Sequence, residues 1–222
     1  MTRLGSRQIP CPCCGNPCEI QFFYSTNTFG GQGTDFHFRA VGFQPLYVEA
    51  QTCPSCGFSG SKKEFENTKV KRRLRARIKK EIQPPLKDLK EERIPPWLSF
   101  EFRARILVWR GIPIGKIGHL FHAAAWCCDD FGKEEEEKHY RQKAIEAFEK
   151  ALKKKEIDKN EIAKYCYLIG ENYRRIGVRD KGALWFDRAI EAAERTPDQE
   201  WLVVLSTQQK TDPQEFIIKP PE

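Results

Sequence analysis

Cys11-Pro12-Cys13-Cys14-Gly15 and Cys53-Pro54-Ser55-Cys56-Gly57 read the same way, Cys-Pro-X-Cys-Gly, twice in one chain. A single Cys-X-X-Cys pair is compatible with a redox dithiol. Two copies that share the internal proline and the trailing glycine point instead to a tetrahedral metal site. Each knuckle supplies two thiolates, and together they complete the four-sulfur shell that structural zinc prefers. Gly15 and Gly57 suit the tight turn behind each second cysteine, because glycine tolerates positive φ. Cys11, Cys14, Cys53 and Cys56 are therefore the expected ligands of one structural Zn2+. Four thiolates close the shell and leave no position for a catalytic water, while metal binding adds folding energy to a module whose core is small. Cys13 and Cys18 stay open at this point: either replaces Cys14 as a ligand, or lies nearby as an unused or activated thiol.

Around the knuckles, residues 10–65 read as a small β-rich module. Ile20, Phe22 and Tyr24 alternate as a strand does, Gly30-Gly31-Gln32-Gly33 marks a turn, and Phe36, Phe38 and Ala40 alternate again. Leu46, Val48 and Ala50 lead into the second knuckle. The expectation is a three-stranded zinc ribbon, with the 38 residues between Cys14 and Cys53 making room for an extra hairpin. Asp35 and His37, at i and i+2, fall on one face of such a strand. An acid–base pair or a second metal is a weak reading of them, since Phe36 and Phe38 claim the opposite face as core.

The pattern then turns helical. Val70, Leu74, Ile78 and Ile82 step by four along one face, and Pro84-Pro85 is expected to stop that helix. Between Lys69 and Lys80, eight of twelve residues are basic and none is acidic: Lys69, Lys71, Arg72, Arg73, Arg75, Arg77, Lys79 and Lys80. The formal net charge is +7, and removing those eight leaves 30 basic against 31 acidic residues, so one segment holds the whole surplus. Such a segment contacts phosphates of a nucleic acid or an acidic partner, or it is a solvated helix whose apolar side packs inward. The charged piece from Pro85 to Pro95 reads as a linker or short helix.

Beyond Pro96 the chain reads as all helix, near 99–110, 116–130, 137–154, 160–176 and 179–195. Gly111, Pro113, Gly132, Gly177 and Pro197 punctuate it. Ala144-Ile-Glu-Ala-Phe148-Glu-Lys-Ala151 aligns with Gly182-Ala-Leu-Trp-Phe186-Asp-Arg-Ala189. Ile169, Gly170, Tyr173, Gly177, Phe186 and Ala189 occupy the packing positions of a tetratricopeptide unit. In such arrays each helix pair exposes an apolar face that a neighbour covers, leaving a concave groove for a peptide. Tyr165, Tyr173 and Arg174 are the expected groove residues. His119 and His122, three apart on a helix, lack a third ligand in register. Cys127, Cys128 and Cys166 read as packing residues, Trp201 to Leu205 as a cap on the bundle, and Lys219 to Glu222 as a frayed end.

The expected architecture is α+β. A zinc ribbon (1–66) is followed by a basic helix with a proline-bounded linker (67–96), a tetratricopeptide-like helical domain (97–197) and a tail (198–222). Forty per cent hydrophobic residues exclude a wholly disordered chain, and no apolar run approaches a membrane span. Residues 1–10 lack the apolar core of a secretory signal. Nine cysteines, four in metal-type knuckles, suit a reducing cytoplasm.

With the knuckles placed before these helices, the chain resembles the bacterial family called "domain of unknown function 2225". The residues carrying the resemblance are Cys11 to Gly15, Asp35, Phe43-Gln44-Pro45-Leu46-Tyr47, and Cys53 to Phe58. Gln44 replaces the family's usual Asn, Phe58 its usual Tyr, and Gly33 stands near the place of a first Asp. The resemblance implies this architecture and no particular activity. The leading expectation is a non-catalytic zinc-binding module that engages a protein or peptide. The alternative is a nucleic-acid-associated protein using residues 69–80. An enzyme using Asp35 and His37 has the weakest support, as no phosphate loop, nucleophile elbow or zinc-protease helix occurs.

Overall fold

In the computed structural model, residues 3–87, 89 and 93–219 are described. Most of the expected linker's charged stretch and the end of the tail, residues 220–222, lie outside them. Strands β1 (Arg3–Pro10) and β2 (Pro17–Ser25) are followed by β3 (Gln32–Gly33), a 3-10 turn over Pro45–Val48, and β4 (Gln51–Thr52) and β5 (Ser59–Gly60). Four helices come next, α1 (Lys62–Asn67), α2 (Arg72–Glu81), α3 (Gln83–Lys87) and α4 (Pro96–Trp109). Five more follow, α5 (Ile114–Asp130), α6 (Glu134–Lys153), α7 (Ile162–Arg175), α8 (Arg179–Glu194) and α9 (Glu200–Thr211), and then β6 (Phe216–Ile218). Small strands carrying the cysteines and then helices make this an α+β chain.

Two compact units form. One comprises residues 1–29 and 39–112, the other 30–38 and 113–222. The boundaries at 66 and 96 read from the sequence thus fall inside the first unit, and the Gly30–Phe38 stretch belongs with the helices.

In the first unit the three-stranded sheet is replaced by two separate hairpins. β1 pairs antiparallel with β2, and β4 with β5. Each knuckle forms the turn of one hairpin. The partner of β2 is the polar N-terminal stretch, which shows no strand signal because only Leu4 and Ile9 are large and apolar. Leu46 and Val48 sit in a 3-10 turn rather than a strand, with Pro45 at its first positions, where the ring already holds the helical φ. Gln51 ties this segment to β2: its side-chain amide donates to the Gln21 carbonyl and accepts from the Gln21 N–H, both at 2.8 Å.

The apolar side of α2 completes this core. Ile78 and Ile82 are fully buried with Cys11, Cys53, Phe58, Phe65 and Phe102. Gly57 makes the approach of Ile82 possible. Its φ is +84°, and a Cβ there would lie 2.7 Å from the Ile82 Cγ2. As expected, α2 ends just ahead of Pro84 and Pro85, at Glu81; the two prolines then occupy the first turn of the short α3, where a missing N–H costs nothing. Ser61 and Glu64 form a reciprocal capping box on α1, and Arg103 holds Glu64 at 2.7 Å.

In the second unit α5 packs on α6, α6 on α7, α7 on α8 and α8 on α9. The helices fall within a few residues of their expected positions, with α9 covering α8 through the buried Leu202. Gly170 and Gly182 bring α7 and α8 into backbone contact: a Cβ on Gly170 would meet the Gly182 carbonyl at 3.1 Å and the Phe186 ring at 2.9 Å. The 30–38 segment pairs with the C-terminal strand, β3 against β6, and Phe36 and Phe38 do not form a strand.

Candidate functional site

The two knuckles have the same backbone. Cys11 N–H donates to the Asn16 carbonyl and Cys53 N–H to Phe58, both at 2.8 Å; Gly15 N–H returns to the Cys11 carbonyl and Gly57 N–H to Cys53. Gly15 and Gly57 have φ of +81° and +84°, as the repeated motif requires. The result is a compact set of four sulfurs, Cys11, Cys14, Cys53 and Cys56, all within 4.8 Å of one another. Cys11 Sγ lies 3.7 Å from Cys56 Sγ, and Cys14 Sγ 3.8 Å from Cys53 Sγ. A tetrahedron with metal–sulfur bonds of about 2.3 Å has sulfur–sulfur edges of about 3.8 Å. The donor set therefore fits a tetrahedral thiolate-binding ion such as Zn2+.

The electrostatics agree. The crowded thiols of Cys11, Cys53 and Cys56 suppress one another's ionisation: contact with Cys53 pushes Cys11 up to about 12. Cys11, Cys13 and Cys53 push Cys56 upward, while Cys11 and Cys56 donate to Cys53 and pull it well down. A divalent cation removes that mutual suppression. Amide donors already point at the sulfurs, Cys13 N–H to Cys11 Sγ and Phe58 N–H to Cys56 Sγ, both at 3.4 Å. Arg75 and Lys79 of α2 line the cleft beside Cys14 and Cys56. Cys13 and Cys18 are buried in the surrounding core and stand outside the four-sulfur set.

Asp35 and His37 are brought into the second unit, where both are buried. Arg141 Nη2 donates to Asp35 Oδ2 at 2.9 Å, and Arg175 Nε lies 3.6 Å from the same oxygen. Burial alone would raise the Asp35 carboxyl, but the Arg175 and Arg141 guanidiniums hold it well below the usual range. Arg141, itself fully buried, also donates to Glu137 at 2.6 Å and to Asn172 at 3.2 Å. Thr34 donates to Glu171 at 2.7 Å and accepts at its carbonyl from the Tyr167 hydroxyl. Glu171 in turn takes Arg174 and Arg175, each at 2.8 Å. Asp35 is thus a structural anion inside an ionic network, and its partners are invisible in sequence because Arg141 lies 106 positions away.

His37 stacks on Trp126, ring centroids 5.0 Å apart, with Nε2 at 3.5 Å from Asp130. His37, Asp129 and Asp130 form a second group of close donors able to hold a cation. His119 and His122 are separated by function: His119 bonds the Tyr165 hydroxyl at 3.0 Å, while the buried His122 packs on Trp126. Burial lowers both, His119 to about 4.

The expected groove residues sit elsewhere than in a groove. Tyr165 and Tyr173 are buried, with the Tyr173 hydroxyl on Glu149, and Arg174 is held by Glu171 and Glu215. A cleft of about 760 Å3 in this unit is lined by Phe36, Phe38, Trp201, Val204, Ile217 and neighbours. Phe36 forms its aromatic floor, stacked on Tyr167 at 5.1 Å and edge-on to Trp201 at 5.9 Å. Its φ of +69° is a strained conformation for a residue with a side chain. Of these residues, Trp201 to Leu205 stood out in sequence as a cap and Phe36 and Phe38 as strand core, and the pattern did not bring the two segments together.

The eight cations of residues 69–80 are all exposed. What sequence did not place beside them is Trp109, at the end of α4, with the Arg77 guanidinium 4.6 Å over its ring.

Among the described residues no helix is long and apolar enough to cross a membrane. Residues 4–211 match the model of the family DUF2225, described as an uncharacterized protein conserved in bacteria. No curated protein and no solved structure matches the chain. The match spans nearly the whole chain, which therefore belongs to that family.

Proposed function

We propose that this family member is a non-catalytic, zinc-stapled interaction module of the cytoplasm, whose helical unit docks an apolar segment of a partner protein. The observation carrying this reading is the 760 Å3 apolar cleft. Val204 is 67 % exposed at its rim and Trp201 49 %. Isolated exposed apolar residues are ordinary, but a contiguous apolar concavity is a binding surface. Lys164 is the cationic group on its lining, so the segment it suits carries aromatic or aliphatic anchors next to a carboxylate.

Three further observations support the remaining parts. One structural Zn2+ suits the four-sulfur geometry, because a closed thiolate shell staples and does not catalyse. A tetratricopeptide-like reading of the second unit is supported by the Gly170–Gly182 contact beneath Phe186. Asp35, 1 % exposed and clamped by two guanidiniums, cannot meet a solvent-borne substrate, which favours binding over catalysis.

The test is a photo-crosslinking amino acid placed at Val204 and, as a control, at Leu184, which is 62 % exposed on α8 outside the cleft. The expected result is one discrete protein adduct from position 204 in cells, lost when Trp201→Ala is added. Identical adduct patterns from 204 and 184 would refute a cleft-directed partner.

A further inference from the structure

We propose that the first unit carries a separate binding groove for single-stranded nucleic acid, formed between the start of α2 and the end of α4. The groove, about 520 Å3, is lined by Lys69, Lys71, Arg73, Arg77 and Arg110 around Leu74 and Trp109. It lies wholly in the first unit and does not depend on the apolar cleft proposed above.

The placement of the cations argues against a merely solvated helix. Lys71 is the N-cap of α2, and Arg72 and Arg73 open its first turn, which contains no acidic residue; no side chain caps the helix. The positive end of a helix macrodipole is the least favourable place for cations, and Asp, Ser or Glu is what helix stability would select there. Among the described residues, Lys69, Lys71, Arg72 and Arg73 form no ion pair with a carboxylate. By contrast Arg77 reaches Glu81 at 2.8 Å and Arg110 lies 3.6 Å from Glu64. Positive charge concentrated against the dipole and, among the described residues, left without a carboxylate partner is complementary to an external polyanion. The uncapped N–H groups of α2 add donors for a phosphate.

The aromatic floor selects among polyanions. The half-buried Trp109 has the Arg77 guanidinium 4.6 Å over its ring and that of Arg105 at 5.9 Å. A stacked guanidinium–indole pair is a platform for an unpaired base, which stacks on aromatic rings and on guanidinium planes alike. Phosphates then fall to Lys69, Lys71 and Arg73 at the rim. An acidic polypeptide would use the cations and leave the platform idle. A duplex would bring phosphates but no open base face.

The experiment is fluorescence anisotropy of labelled oligouridylate and oligothymidylate with the metal-loaded, full-length protein across a salt series. The expected result is binding that weakens linearly in log–log form with salt. Lys69→Ala/Lys71→Ala/Arg73→Ala, all at exposed positions, should reduce that slope by about 2, at about 0.7 for each phosphate no longer neutralised. Trp109→Leu, which keeps an apolar side chain against the core, should weaken binding by about fivefold to a hundredfold with the salt slope retained. The triple variant keeps the test decisive if Trp109→Leu impairs folding. Absence of binding at low salt overturns the proposal. So does equal or tighter binding of polyglutamate, which would identify an acidic-protein dock, or of a duplex of the same length.

Discussion

Asp35→Asn is the substitution that most directly separates a structural role from a functional one at the acidic residue of the 30–38 segment. The most buried charges of the network balance: Asp35 and Glu171 are 1 % and 0 % exposed, against Arg141 at 0 % and Arg175 at 10 %. Asparagine keeps the shape and an acceptor for Arg141, which retains Glu137, but removes the buried carboxylate that Arg141 and Arg175 share. Removing one partner of a buried pair costs about 3–5 kcal/mol, and the retained acceptor puts the expectation near 3 kcal/mol. The second unit spans residues 30–38 and 113–222; for a domain of that size the loss corresponds to a fall of roughly 10 °C in its melting transition.

The assay is urea and thermal unfolding with hydrogen exchange localised to α6, α7 and the 30–38 segment. Arg141→Gln should cost a similar amount, and the double variant less than the sum, with a coupling of at least about 1 kcal/mol. The sign of the pH dependence follows from the depressed Asp35 carboxyl. A folded pKa below the unfolded value of about 3.9 gives stabilisation that is complete above that pH. It is lost as pH falls toward the folded pKa. The gap between wild type and Asp35→Asn should therefore be constant from neutrality down to about pH 4 and narrow only below it. Additive single costs, or a variant as stable as wild type, would refute the network as the reason for Asp35.

Cys53→Ser should abolish stoichiometric zinc, measured by metal analysis of the purified protein, and chelation of the wild type should unfold the first unit while leaving the helical transition in place. Cys13→Ser should retain the metal, since Cys13 lies outside the four-sulfur set. Gly57→Ala should destabilise the first unit by about 2–3 kcal/mol, because a non-glycine at positive φ is strained and its Cβ would meet Ile82 at 2.7 Å; urea denaturation reads this. The helical unit should lose stability as pH falls from about 6.5 to about 4, since burial lowers His119 to about 4 and the unfolded chain binds that proton more readily. The loss from His119 is about 3 kcal/mol, and His119→Gln should flatten that part of the profile.

The knuckles were legible because their chemistry is local: two cysteines, a turn glycine and a repeat suffice to specify a half-site. The helices after residue 96 were legible because their apolar period runs for many turns. Period alone failed where segments were short. Leu46 and Val48 alternate as strand residues do, yet Pro45 sets a 3-10 turn. Phe36 and Phe38 alternate as well, yet Asp35 and His37 take the buried side while Phe38 is exposed and Phe36 has positive φ. β1 was silent because a two-stranded hairpin needs only backbone pairing, which its polar side chains do not advertise. Arg141 carries no local signal on its charged helix; its distant partners, Asp35 and Asn172, distinguish it.

The same difference explains why the charged residues of this chain divide into two kinds. In the second unit Arg141, Arg174 and Arg175 are held by Asp35, Glu171 and Glu215. Their energy is internal, and it fixes a segment that would otherwise be a glycine-rich loop. At the start of α2 the cations have no such partners among the described residues, and they lie where the macrodipole opposes them. Ile78 and Ile82 anchor that helix to the knuckle core, so the two knuckles hold the basic face in place from beneath. Folding accounts for the position of α2 through its apolar side alone. Its cationic side is left to be explained by something the protein meets, and the structure sets an indole beside it.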